Sequence, residues 1–175
     1  MEFITAIKAQ IPDYAKDIRL NLDGTIARSS LEGNDAVGVA LAAAFAAKSQ
    51  PIIKAIREAG VLSPEELEGA LTAAALMGMN NTWYPYLEMA DNAELKNEKA
   101  QLRMNGYATR GGVDQRRFEM YALAASIVGK CHFCVKSHYH LLAAEHGMST
   151  AQLRDVGRIA AVINAAAQVL AAEAA

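Results

Sequence analysis

The sequence predicts an all-α fold, a single domain over residues 1–175 of packed helices with a duplicated helical hairpin. Three observations predict it. Hydrophobic residues make up 53% of the chain but aromatics only 6%, so the apolar mass is largely alanine, the best helix former and a poor strand former. Capping boxes and proline or glycine punctuation recur at helix-length intervals. No stretch shows the apolar–polar alternation, rich in β-branched or aromatic residues, that a half-buried strand needs. A chain of 175 residues supports one sizeable core and is short for two.

Taken in order, Pro12 can open a helix through Ile18, since proline is tolerated at the first helical position. Asn34 can cap a helix over Ala36 to Ala47, and Pro51 can start another that stops at Gly60. Ser63-Pro64-Glu65-Glu66 is a capping box opening a helix to about Met79, with Asn80-Asn81 as its end. From Tyr84 to Gly106 the chain is polar and spotted with aromatics, without clear periodicity. Gly111-Gly112 marks a loop. Asp114 can cap a helix to Val128, with Gly129 as its stop. A helix from about Cys131 to His146 follows, ended by Gly147. Ser149-Thr150-Ala151-Gln152 is a second capping box and opens the last helix.

The duplication is read from this punctuation. A helix ends at Gly60 and again at Gly147, and each time a capping box follows within a few residues and opens an alanine-rich helix. Leu67, Ala70, Ala74 and Met77 form the apolar stripe of the first, and Leu153, Val156, Ala160 and Ile163 that of the second. Counted back from the two glycines, Ala44 and Ala47 of the first copy fall opposite Cys131 and Cys134 of the second. Only the second copy carries chemistry.

Composition excludes some partners. The formal net charge is −2 with acids and bases interspersed, which leaves no footprint for nucleic acid or an anionic membrane. Met1 to Pro12 lacks the basic-then-apolar pattern of a secretory signal, and the longest uncharged apolar run, Ala36 to Ala47, is well short of a bilayer span. With only two cysteines, the expected compartment is the cytoplasm, where a Cys-x-x-Cys pair reads as catalytic or metal-binding rather than as a structural staple.

That pair lies in Lys130-Cys131-His132-Phe133-Cys134-Val135-Lys136-Ser137-His138-Tyr139-His140. On a helix, Cys131, Cys134 and His138 share one face, so the imidazole can reach the second sulfur. The cysteines fall in the first turn, where free backbone N–H groups and the helix dipole favour an anion. Thiols so placed drop from about 8.5 to roughly 3.5–7.5, which makes thiolate available at neutral pH. Lys130 and Lys136 add positive potential. A base paired with a nucleophile needs a third group to orient it, and Glu119 is the candidate, brought beside His138 if the chain doubles back at Gly129. No βαβ context surrounds the pair, so a thioredoxin-type reading fails. Two other readings stand beside the redox one: a pair of core cysteines, or a zinc-binding helical module using Cys131, Cys134, His138 and His140. Helical phase turns His140 to the opposite face from Cys131. Met77, Met79 and Met104 read as core filler.

Glu119, eleven residues, then Cys131-x-x-Cys134-x-x-x-His138 resembles the active-site pattern of the alkyl hydroperoxide reductase D (AhpD) family, within the carboxymuconolactone decarboxylase-like superfamily. The resemblance extends to Pro12 through Leu22, Met77 through Asn81, Leu102 through Asn105, and Phe118-Glu119, so that it covers nearly the whole chain. It implies an all-α homotrimer that reduces alkyl hydroperoxides and regenerates the peroxiredoxin AhpC. It implies no bound cofactor and no metal; electrons come from the lipoyl group of a 2-oxoacid dehydrogenase E2 subunit, itself reduced by dihydrolipoamide dehydrogenase and NADH. It further implies Cys134 as the sulfur oxidised to sulfenic acid. Cys131 becomes the proton donor, the resolving thiol and the sulfur joined to AhpC, while Glu119 and His138 relay protons. The chain departs from the family in one place: Phe133 stands immediately before the second cysteine, where histidine is common, and His132 lies one position earlier. A non-redox relative on the same scaffold, such as a lactone decarboxylase, is the remaining alternative.

Overall fold

The computed structural model describes residues 1–174. Helices α1 (Glu2–Lys8), α2 (Lys16–Leu22), α3 (Gly33–Ala46), α4 (Gln50–Glu58) and α5 (Pro64–Ala90) form the first half. Helices α6 (Ala93–Asn97), α7 (Asn105–Thr109), α8 (Gln115–Gly129), α9 (His132–Ala144) and α10 (Thr150–Glu173) form the second, and no β-strand occurs among the described residues. Pro12 does not take the first position of α2: it is extended (ψ 171°) and caps a tight turn, Asp13–Ala15, after which α2 starts at Lys16.

Helices α3 and α8 are the centre. Every residue from Asp35 to Ala44, and from Phe118 to Ser126, is buried. A helix that is apolar around its whole circumference has no face for water and must sit inside. The two come close at Gly38, where an added Cβ would lie 2.4–2.5 Å from the Tyr121 ring. Their N-terminal turns are tied by charge: buried Asp35 accepts from Arg116 and from Arg117, each at 2.8 Å. Helices α5 and α10 pack against this pair. By length and composition α10 is long and apolar enough to cross a bilayer. Its apolar stripe (Leu153, Val156, Ile159, Ile163) is buried against the central helices instead.

Both capping boxes are formed: Ser63 with Glu66, and Ser149 with Gln152. Two expected boundaries move. Asn34 does not cap α3; the helix starts at Gly33 with Glu32 in the capping position, and the Asn34 amide donates instead to the Glu66 carboxylate at 3.2 Å. Helix α5 does not stop at Asn80-Asn81 but runs through both and through Pro85 to Ala90. Asparagine ends helices by hydrogen-bonding its own backbone, but the Asn81 amide donates across to the carbonyl of Ala125 in α8, at 3.0 Å. The terminator is thereby turned into a tertiary tie.

The duplication is visible in the backbone, in a register different from the one counted on the glycines. Helices α3, α4 and α5 repeat as α8, α9 and α10. Between α3 and α4, Lys48 is left-handed (φ 60°) and Ser49 caps the next helix (φ −90°, ψ 95°). Between α8 and α9, Lys130 is left-handed (φ 55°) and Cys131 caps the next helix (φ −83°, ψ 103°). The N–H of Ser49 bonds to Ala44 as that of Cys131 bonds to Ser126. Ser49, not Ala44, is therefore the counterpart of Cys131, and Ile52, not Ala47, that of Cys134. Helix α4 has 9 residues against 13 in α9, so counting back from the terminal glycines slips the alignment.

Candidate active site

The candidate site is assembled by a sharp turn. Helix α8 ends at Gly129, where a Cβ would fall 2.2 Å from the Asn81 amide nitrogen, so only glycine fits. The left-handed residue that closes the helix is Lys130 rather than Gly129, because close approach already claims the glycine. Cys131 then occupies the N-cap of α9, and its sulfur accepts from the Cys134 N–H at 3.2 Å, the part a serine or aspartate oxygen plays in other caps. The two sulfurs are joined as a disulfide, with Cα atoms 5.3 Å apart. Opening it would leave sulfur at the positive end of a 13-residue helix, where a thiolate is favoured.

One turn further along α9, His138 is buried, and the antiparallel return of the chain sets it against α8. Its Nδ1 lies 2.5 Å from Oε2 of Glu119, a fully buried carboxylate. The other carboxylate oxygen, Oε1, accepts from the Tyr107 hydroxyl at 2.6 Å. Burial pushes the Glu119 carboxyl upward. The hydrogen bonds from His138 and Tyr107, with the positive sides of His138 and His146, outweigh it and hold the group below the ordinary carboxylate range. An ionised Glu119 accepts the Nδ1 proton, which leaves the lone pair of a neutral ring on Nε2. Nε2 sits 3.2 Å from the sulfur of Met77. In this disulfide form the ring nitrogens thus meet Glu119 and Met77, while His138 and Cys134 line one pocket together.

That pocket has a volume of about 230 Å³ and is walled also by Tyr84, Tyr107, Phe133 and Met104. Cys134 borders it; Cys131, with no exposed surface, does not. Phe133 stacks on Tyr84 with ring centroids 4.3 Å apart, so an aromatic face covers one side of the opening. His132 lies outside, exposed and 3.4 Å from Glu88. His140 is also exposed, on the far side of α9 as its helical phase required. Among the described residues, no three His, Cys, Asp or Glu side chains are grouped as a metal site needs.

Glu119, Cys131, Cys134 and His138 are therefore brought together. Two contacts were not read from the sequence. Met77 is fully buried, as a filler residue should be, yet its sulfur touches His138; Met104, also read as filler, is partly exposed and lines the pocket. Tyr107 comes from a five-residue helix inside the stretch without periodicity, and no spacing linked it to Glu119.

Residues 96–175 match the carboxymuconolactone decarboxylase family. The chain is 44% identical over 174 residues to the alkyl hydroperoxide reductase AhpD of Rhodospirillum centenum, covering 98% of this chain and 92% of that protein. It is 41% identical to the protein of the same name from Maricaulis maris, over 97% of this chain and 98% of the relative. With the one from Mycobacteroides abscessus the identity is 39%, over 96% and 95%.

Proposed function

This chain belongs to the alkyl hydroperoxide reductase AhpD family, and from that premise we propose that it is an antioxidant thiol enzyme that reduces alkyl hydroperoxides and regenerates the peroxiredoxin AhpC with dihydrolipoyl electrons. The observation that carries the reading is a sulfur pair at the first turn of α9 with a Glu119-oriented imidazole one turn behind it.

Cys134 borders the pocket in the disulfide form, and once reduced its sulfur is the one a hydroperoxide meets. Its thiolate attacks the O–O bond, taking the terminal oxygen as sulfenic acid, and the alcohol leaves with a proton supplied by Cys131 or by the imidazolium of His138. The Cys131 thiolate then attacks the sulfenic sulfur, water departs, and the disulfide closes. The balance is one hydroperoxide and two thiols in, one alcohol, one water and one disulfide out. A dihydrolipoyl dithiol reopens the Cys131–Cys134 bond by exchange and leaves as the cyclic disulfide. His138 Nε2 shuttles the protons these steps require, with Glu119 fixing its tautomer. Reduction of AhpC through Cys131 needs the first turn of α9 to open, because that sulfur is fully buried while the disulfide is closed.

The same reading carries a cytoplasmic homotrimer, and sedimentation analysis checks the trimer. The function is tested by NADH oxidation with lipoylated E2, dihydrolipoamide dehydrogenase and an alkyl hydroperoxide, with and without AhpC. Turnover is expected in the wild type and lost in Cys134→Ser; a Cys134→Ser protein that still turns over peroxide defeats the proposal.

A further inference from the structure

We propose that Tyr107 is a positioning residue for this site, its hydroxyl fixing the Glu119 carboxylate that holds Nδ1 of His138, the imidazole sharing a pocket with Cys134. Its significance rests on the thiol function proposed above; its test does not.

Glu119 is a carboxylate with no exposure to water, and such a group is tolerated only when its oxygens are satisfied. Tyr107 takes Oε1 at 2.6 Å and leaves Oε2 for His138 at 2.5 Å. The tyrosine is itself held: its ring stands edge-on to Phe118, centroids 5.2 Å apart and planes at 77°. The preceding Gly106 lies so close to α5 that a Cβ there would come within 3.0 Å of Thr72. Burial first, and then the neighbouring Glu119, push the phenol well above its ordinary range, so it remains a donor at every working pH. The other charged and titratable groups acting here are His146, which follows α9 and favours ionised Glu119, and Arg110 and Tyr84, which act on Tyr107 in opposite senses.

Without the hydroxyl, Glu119 loses one of its two side-chain donors and becomes more basic, able to draw the Nδ1 proton from His138. The hydrogen-bonded pair beside Cys134 is then less able to support a thiolate, and the thiolate fraction falls at low pH.

The test is the rate at which iodoacetamide alkylates Cys134 in the reduced, full-length protein, followed by mass spectrometry across pH. Tyr107→Phe retains the ring and its packing. It is expected to lower the rate about tenfold near pH 6, to move the acid-side midpoint up by about one unit, and to match the wild type near pH 9, where any thiol is ionised. In a Glu119→Gln background, Tyr107→Phe is expected to add nothing. An unchanged profile, an equal loss at both pH values, or the same increment in both backgrounds overturns the proposal. A measurement that leaves Tyr107 in place guards against a folding defect: in Glu119→Gln alone, ultraviolet difference absorbance should show one tyrosine ionising at lower pH than in the wild type, and no change there also overturns it. A wild type with this profile but no peroxide turnover would instead count against the function and leave the role of Tyr107 standing.

Discussion

Proton control at this site comes down to which atom faces which. The 2.5 Å contact between Nδ1 of His138 and Oε2 of Glu119 sets the tautomer, and the tautomer decides whether Nε2 is free to accept a proton. Glu119→Gln keeps the shape and removes the charge, so it is expected to lower kcat for peroxide by about 10- to 100-fold at neutral pH with little change in KM. The sign with pH follows from the direction of the Glu119 shift. Held below the ordinary carboxylate range, Glu119 stays ionised on mild acidification, and its contribution is lost only as pH falls through that lowered value. The Gln variant should lack that acid limb. Steady-state rates between about pH 3 and 8 decide it, and a variant within twofold of the wild type across that range would remove Glu119 from the mechanism. The four residues were legible because helical spacing and one antiparallel turn are local matters. Tyr107 was not, since it reaches Glu119 through the docking of α7, which no periodicity announces. At the position before the second cysteine this chain presents Phe133, stacked on Tyr84, while His132 lies outside the pocket, 3.4 Å from Glu88.

Helices were legible from their ends, and where the ends misled, a tertiary contact was the reason. Capping boxes at Ser63 and Ser149 are satisfied within a few residues and were read correctly. Asn80-Asn81 was misread because the Asn81 amide is spent on α8. The same kind of invisible contact anchors α10. Its Asp155, 1% exposed, accepts at one oxygen from both the N–H and the hydroxyl of Ser30, each at 2.8 Å, and at the other from Arg154 and Arg158. Burial alone would raise this carboxyl, but the Ser30 and arginine hydrogen bonds prevail and bring it down to about 2. A depressed carboxylate stabilises the fold fully above its unfolded value near 4, and that contribution disappears as pH falls toward about 2. Asp155→Asn should therefore cost about 2 kcal/mol at neutral pH, and the difference from wild type should shrink steadily below about pH 4. Urea denaturation at several pH values measures it. A cost that does not vary with pH would mean that packing, not charge, holds the segment before α3 to α10.

Across the whole molecule the chemistry is asymmetric although the scaffold is not. Each position of the candidate site in the second copy has an apolar or hydroxyl counterpart in the first: Ser49 for Cys131, Ile52 for Cys134, Ile56 for His138 and Val37 for Glu119. Ile52, Ile56 and Val37 are fully buried, so the first copy supplies core where the second supplies a site. The backbone at the two helix starts is nearly the same, which separates what the turn gives from what the side chains behind it give. Ser49→Cys with Ile52→Cys, placed in a Cys134→Ser chain, should form a disulfide at the start of α4 in place of the lost one. Truncating Ile52 costs about 1–2 kcal/mol of stability for the buried volume lost. No base stands one turn on, and no carboxylate behind it, so peroxide turnover should stay at the level of the Cys134→Ser parent. Thiol counting under oxidising and reducing conditions reports the bond, and the coupled NADH assay reports turnover. Should the transplanted pair reduce peroxide at a rate approaching the wild type, the helix start alone would suffice, and the imidazole–carboxylate pair would be support for the fold rather than part of the reaction.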